Sequence, residues 1–160
     1  RENDLLRYCD LLAVNEEEAE AILERKAAAS ELPYLLYRYA TTLNPNITVL
    51  ITCGKEGAFV CDQDGIEQIF PFPAKAINTT GAGDAFIGGT ISAFALGYPF
   101  KKGRQDHCFG ESSLRTAPEF GTVCAGMAVE SPDSIAMEVT TENMIERLKK
   151  LGIQSEFWFA

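Results

Sequence analysis

The stretch Asn78-Thr79-Thr80-Gly81-Ala82-Gly83-Asp84 constrains this chain most, set between the extended lead-in Phe72 to Asn78 and an apolar run from Ala85 to Leu96. Small residues between a strand-like segment and a helix let successive backbone N–H groups point into one concavity. The helix dipole adds positive potential there, and the result suits an anion, above all a phosphoryl group in transfer. A carboxylate just inside the helix start, Asp84, is misplaced as a mere partner of phosphate. It makes chemical sense as a base that takes the proton from an attacking hydroxyl. The plainer reading is an ordinary glycine-rich turn before a buried helix. Two other glycine loops do not fit. A Walker A loop ends in Gly-Lys-Ser/Thr, and Gly83 is followed by Asp84; the dinucleotide fingerprint needs a small residue where Phe86 stands.

Around this segment, strand-like and helix-like patterns alternate, which points to an α/β fold. Leu11 to Asn15 reads as a buried strand, and Glu16 to Ala29 as a helix with acids in its first turn. Pro33 interrupts, and Tyr34 to Leu43 reads as a second helix. After the turn signal Asn44-Pro45-Asn46, the β-branched run Thr48 to Thr52 suits a parallel sheet. Ala58 to Cys61 and Ile66 to Phe70 flank a glycine-containing loop and predict a hairpin. Gly88 and Gly89 lower helix propensity inside the apolar run, and close packing is the expected reason. The polar, aperiodic stretch 98–118 reads as a loop insertion. Phe120 to Val129 and Thr141 to Lys150 predict two further helices, joined by Ser131-Pro132-Asp133-Ser134.

At 160 residues the chain suits one domain with a sizeable core. A net charge of −9 argues against a nucleic-acid partner, although a nucleotide held by backbone N–H groups remains compatible with it. Five cysteines (Cys9, Cys53, Cys61, Cys108 and Cys124) show no metal-ligand spacing and suit reduced thiols in a cytoplasmic protein. No apolar run approaches membrane-spanning length, and the polar start Arg1-Glu2-Asn3-Asp4 is no signal peptide. The missing start Met suggests a piece of a longer chain. His107 reads as a surface residue, and Trp158, with Phe157 and Phe159, as packing at the C-terminus.

Three motifs in order make a more specific pattern. Thr79-Thr80-Gly81-Ala82-Gly83-Asp84-Ala85-Phe86 matches the second signature of the ribokinase-like (PfkB) kinases, written Asp-Thr-x-Gly-Ala-Gly-Asp. Asn15-Glu16-Glu17-Glu18 matches that family's Asn-x-x-Glu motif, and Thr52-Cys53-Gly54-Lys55-Glu56-Gly57 resembles its Thr-x-Gly-x-x-Gly turn. The likeness runs from about Asp10 to Gly97 and more weakly through the last two helices. The chain thus resembles the C-terminal, nucleotide-binding and catalytic half of such a kinase. The resemblance implies a three-layer α/β sandwich with a mostly parallel sheet. It implies ATP and Mg²⁺, with Asp84 as general base and Gly81, Ala82 and Gly83 donating N–H groups to phosphoryl oxygens. Thr52, Gly54 and Gly57 would line the nucleotide pocket, with Thr80 and Thr122 among the nucleotide contacts. Asn15 would touch ATP phosphates, and Glu18 would organise the water around Mg²⁺. Without the resemblance, Asn15 and Glu18 read as a helix cap and a solvated acidic face.

Two departures bear on function. The family's first motif Asp, which helps hold a potassium ion in many members, is Asn78 here. An amide carries no charge and binds a monovalent cation less well, so weak or absent potassium dependence is expected. The family's N-terminal half, with its lid and Gly-Gly substrate motif, has no counterpart in this chain, so the acceptor stays open and the fragment alone is expected to be inactive. The activity implied is phosphorylation of a hydroxymethyl group on a small sugar, with a nucleoside kinase as alternative. A non-catalytic nucleotide-binding relative is the alternative of another class, and Asp84 argues against it. The partners expected are a small sugar or nucleoside, no nucleic acid and no membrane, with a homodimer of the parent left open.

Overall fold

Short aliphatic and β-branched runs become strands wherever a helix covers them. The computed structural model describes residues 2–101, 113–133 and 139–155. Cys108, His107, Phe157, Trp158 and Phe159 lie outside the described residues, as does most of the stretch read as an insertion. The chain divides into two compact units, Arg1–Gln68 and Ile69–Ala160.

In the first unit, strands β1 (Leu11–Asn15), β2 (Thr48–Thr52), β3 (Ala58–Asp62) and β4 (Gly65–Ile69) lie side by side in that order. The sheet is mixed. β1 and β2 run parallel with Asn15 opposite Thr52, whereas β3 returns antiparallel with Ala58 opposite Thr52. Val49, Leu50 and Ile51 have no solvent exposure, as expected of a strand covered on both faces. Helices α1 (Glu16–Leu23) and α2 (Leu32–Thr41) place Ala19, Leu32, Leu36 and Ala40 in one core with Val49, Ile51 and Cys61.

Helix α1 stops six residues short of the predicted Ala29. Glu24 takes a left-handed conformation (φ 53°), and the N–H groups of Glu24 and Arg25 close the helix onto Ala21 and Glu20 carbonyls. The Glu20 carboxylate then accepts the Ala27 N–H at 3.2 Å, turning the chain toward α2. Good helix formers at Lys26 to Ala29 are overridden by the need to turn back. Pro33 does not interrupt a helix; it sits in the first turn of α2, where no N–H is needed.

In the second unit, α3 (Ala82–Ala95) packs along α4 (Ala117–Val129), and α5 (Thr141–Lys150) closes a core with Phe72, Tyr98, Phe120, Val123, Met144 and Leu148. Glycine explains the close approach of α3 and α4. A Cβ on Gly89 would lie 2.7 Å from Cys124 Sγ, and one on Gly121 would lie 2.6 Å from the Phe86 carbonyl oxygen. Gly88 has no such role, since a Cβ there would meet nothing within 4 Å. Helix α4 begins three residues before the predicted Phe120. Pro118 lies in its first turn, and Glu119 Oε2 accepts the N–H groups of Arg115 and Thr116 at 2.7 and 2.9 Å. Within the stretch 98–118, Tyr98 is buried and Ser113–Leu114 form β5, paired in parallel with β6 (Gln154–Ser155). No helix among the described residues is long and apolar enough to cross a membrane.

Candidate active site

In the first unit, the register of two parallel strands brings two motifs together. Asn15 and Thr52 end β1 and β2 at adjacent positions, on the carboxyl edge where α/β sheets bind ligands. Beyond Thr52, the chain turns through a short 3-10 segment, Gly54–Glu56. The Cys53 N–H donates to the Gly57 carbonyl at 2.8 Å, and the Gly57 N–H to the Gly54 carbonyl at 3.1 Å. Gly57 has φ 85° and ψ −131°, a conformation that a side chain would not tolerate. The turn is therefore tight and fixed at the strand end.

Asn15 and Glu18 form a reciprocal helix cap. Asn15 Oδ1 accepts the Glu18 N–H, and Glu18 Oε2 accepts the Asn15 N–H, each at 2.9 Å. The plain capping role is therefore real. Both residues are exposed, and Asn15 Nδ2 and Glu18 Oε1 take no part in the cap. Among the described residues no group of three or more His, Cys, Asp or Glu side chains converges as metal ligands. A magnesium ion held mainly by water and phosphates needs few protein ligands, and the Glu18 Oε1 left out of the cap would be the oxygen to meet its water.

Cys53, between Thr52 and Gly54, is buried, and its thiol is pushed up to about 12 by burial and then by Glu16 and Glu56. Burial also raises Cys124. Alkylation of the native protein at about pH 8 is expected to spare Cys53 and Cys124, because only the thiolate reacts. Rapid labelling of either, seen by peptide mass, would contradict this placement. Because an unfolded thiol ionises near 8.5, Cys53 costs the folded state stability as pH rises from about 8.5 toward 12.

In the second unit, the motif forms a helix start. Gly81 is the N-cap with φ 82°, Ala82 and Gly83 are the first two helical residues, and Asp84 is the third. The first intrahelical bond runs from the Ala85 N–H to the Gly81 carbonyl at 2.9 Å, so the N–H groups before Ala85 have no helical partner. Ala82 shares its N–H with the Thr79 carbonyl at 3.3 Å, so it is less free than its neighbours. A Cβ on Gly83 would meet nothing within 4 Å, which leaves the backbone open to an approaching group. Asp84 and Thr80 are exposed. Thr122 differs from the rest: it is buried on α4, and its hydroxyl donates to the Glu119 carbonyl one turn back at 2.8 Å.

Sequence reasoning missed what holds the motif loop. Asn78 Nδ2 donates to the Pro132 carbonyl at 3.1 Å, while Asn78 Oδ1 accepts the Thr80 N–H at 3.0 Å. Nearby, Glu130 accepts the Lys75 N–H at 3.0 Å and pairs with Arg147 at 2.8 Å. The Asn-x-Thr spacing could have signalled the local Asx turn. Nothing local signals partners more than 50 residues away.

These elements define an α/β protein with a glycine-rich loop at a helix start. Comparison with solved structures gives the ribokinase fold. The chain superposes on ribokinase from Thermotoga maritima with a TM-score of 0.68 and 22% identity, covering 92% of this chain and 45% of that one. For the nucleoside kinase of Burkholderia thailandensis in complex with inosine, the TM-score is 0.64 at 21% identity, covering 91% and 41%. Among curated relatives, ribokinase of Staphylococcus aureus is 34% identical over 90 residues, 56% of this chain and 29% of that protein. Ribokinase of Haemophilus influenzae is 29% identical over 147 residues, 92% of this chain and 43% of that protein. The pfkB family carbohydrate kinase model matches residues 2–141, and the chain belongs to that family. It spans less than half the length of these relatives.

Proposed function

We propose that the complete protein transfers the γ-phosphate of ATP to a hydroxymethyl group of a small sugar. The observation that carries this reading is Asp84, an exposed carboxylate at the third position of a helix whose first turn is open at Gly83. Asp84 takes the hydroxyl proton as the oxygen bonds to the γ-phosphorus, and the bond from that phosphorus to the bridging oxygen breaks to release ADP. The N–H groups of Gly81 and Gly83, with that of Ala82, receive the charge on the phosphoryl oxygens. Thr52, Gly54 and Gly57 shape the nucleotide turn, and Asn15 meets the phosphates through Nδ2. A magnesium ion bound with the nucleotide neutralises phosphate charge. Thr122, buried and bonded to its own helix, is left out of this reading.

Glu18→Gln separates capping from metal binding, because glutamine also completes a capping box. The Mg²⁺ concentration for half-maximal rate is expected to rise more than the acceptor KM changes. An unaltered Mg²⁺ titration would leave Glu18 with the cap alone. The function itself is tested by offering ATP with a panel of pentoses, hexoses and nucleosides to the complete gene product. Phosphorylation of a sugar supports the reading, and phosphorylation of nucleosides alone replaces it with a nucleoside kinase.

A further inference from the structure

We infer that Asn78 is a positioning residue for phosphoryl transfer, a two-sided clamp that ties the motif loop to the chain beyond α4. Its carboxamide oxygen accepts the Thr80 N–H at 3.0 Å, and its carboxamide nitrogen donates to the Pro132 carbonyl at 3.1 Å. The reversed amide would set oxygen against carbonyl and N–H against N–H, so both partners fix the orientation. The backbone supports the same junction: the Ile77 and Asn78 N–H groups both donate to the Val129 carbonyl, at 2.7 and 3.1 Å. Glu130, next in sequence, holds the Lys75 N–H and Arg147 of α5. The lead-in to the motif is therefore anchored to the end of α4 by backbone, while Asn78 extends that anchorage through its side chain to Thr80. Gly81 follows at once and starts the helix that carries Asp84.

The clamp needs an amide. A carboxylate can accept from Thr80 but cannot donate to Pro132, and its second oxygen would face the carbonyl oxygen. Positioning supplies much of the rate in phosphoryl transfer, so a small displacement of this loop reaches the chemistry directly. The inference rests on the phosphotransferase reading above.

The test compares Asn78→Asp and Asn78→Ala with the unmutated complete gene product. For Asn78→Asp, kcat is expected to fall roughly 10–100-fold while both KM values stay within about three-fold. Two facing oxygens invite a cation, so exchanging a bulky organic cation for K⁺ at fixed ionic strength should restore part of that rate. The unmutated protein should ignore the exchange, and Asn78→Ala should lose rate without recovery. A lowered melting temperature with kcat intact and no cation response overturns the inference, as does a strong K⁺ response of the unmutated protein. Hydrogen exchange at the Thr80 amide of the unmutated protein needs no variant: protection supports the clamp, and exchange at the rate of an open turn overturns it. Loss of turnover in Asp84→Asn, with Asn78→Asp fully active, removes the clamp and leaves the kinase reading standing. Full activity in Asp84→Asn removes the kinase reading itself.

Discussion

Asp84→Asn in the complete gene product is expected to lower turnover by roughly 10²–10⁴-fold while ATP affinity stays nearly unchanged. The substitution keeps the size and helical position of the side chain, and it removes the negative charge together with the capacity to take a proton. Asp84 sits third in α3, and the bond from Ala85 to the Gly81 carbonyl that begins the helix involves backbone alone. The helix start and its open N–H groups should therefore persist in the variant. Nucleotide contacts assigned to Thr52, Gly54 and Gly57 lie elsewhere in the chain and should persist as well. Single-turnover kinetics would separate the chemical step from product release. Turnover within a few-fold of the unmutated protein would remove Asp84 from the mechanism.

Gly121→Ala is expected to destabilise the protein by about 1–3 kcal/mol, the usual cost of forcing extra volume into a packed interface. The new Cβ would lie 2.2 Å from Thr90 Oγ1 and 2.6 Å from the Phe86 carbonyl oxygen. Thr90 cannot easily rotate away, because its hydroxyl already donates to that same carbonyl at 2.8 Å. Helix α3 must move off α4, and α3 carries Asp84, so kcat should fall along with the melting temperature. Gly88→Ala is the control, since its Cβ meets nothing and alanine favours a helix. Melting curves should place Gly121→Ala several degrees below Gly88→Ala. Equal melting temperatures would contradict the α3–α4 packing.

Where local pattern and tertiary demand agree, the chain is legible from sequence. The β-branched run Thr48 to Thr52 is a strand at those residues, and Thr141 to Lys150 is a helix with the predicted ends. The three motifs lead to the right family, because they encode backbone geometry that few residue types can adopt: Gly57 at ψ −131° and Gly81 at φ 82° are examples. Local reading fails where a distant partner decides. Helix α1 ends early because the Glu20 carboxylate receives the Ala27 N–H, although Lys26 to Ala29 favour a helix. Gly88 and Gly89 look alike in sequence, yet only Gly89 faces α4 closely. Thr116-Ala117-Pro118-Glu119 carried a capping-box signal that would have moved the start of α4 to its observed place. The bond from Asn78 to Pro132, 54 positions along the chain, has no signal in the local sequence.

Phosphoryl transfer from ATP to a carbon-bound hydroxyl, with Asp84 as the proposed base, has a direct chemical readout. It is tested most directly by following γ-labelled ATP with the complete gene product and a sugar acceptor. Label is expected as a phosphate ester on the hydroxymethyl carbon, one per ADP formed, and its appearance should slow by roughly 10²–10⁴-fold in Asp84→Asn. Label found as inorganic phosphate alone, or still in bound nucleotide with every acceptor offered, would contradict it.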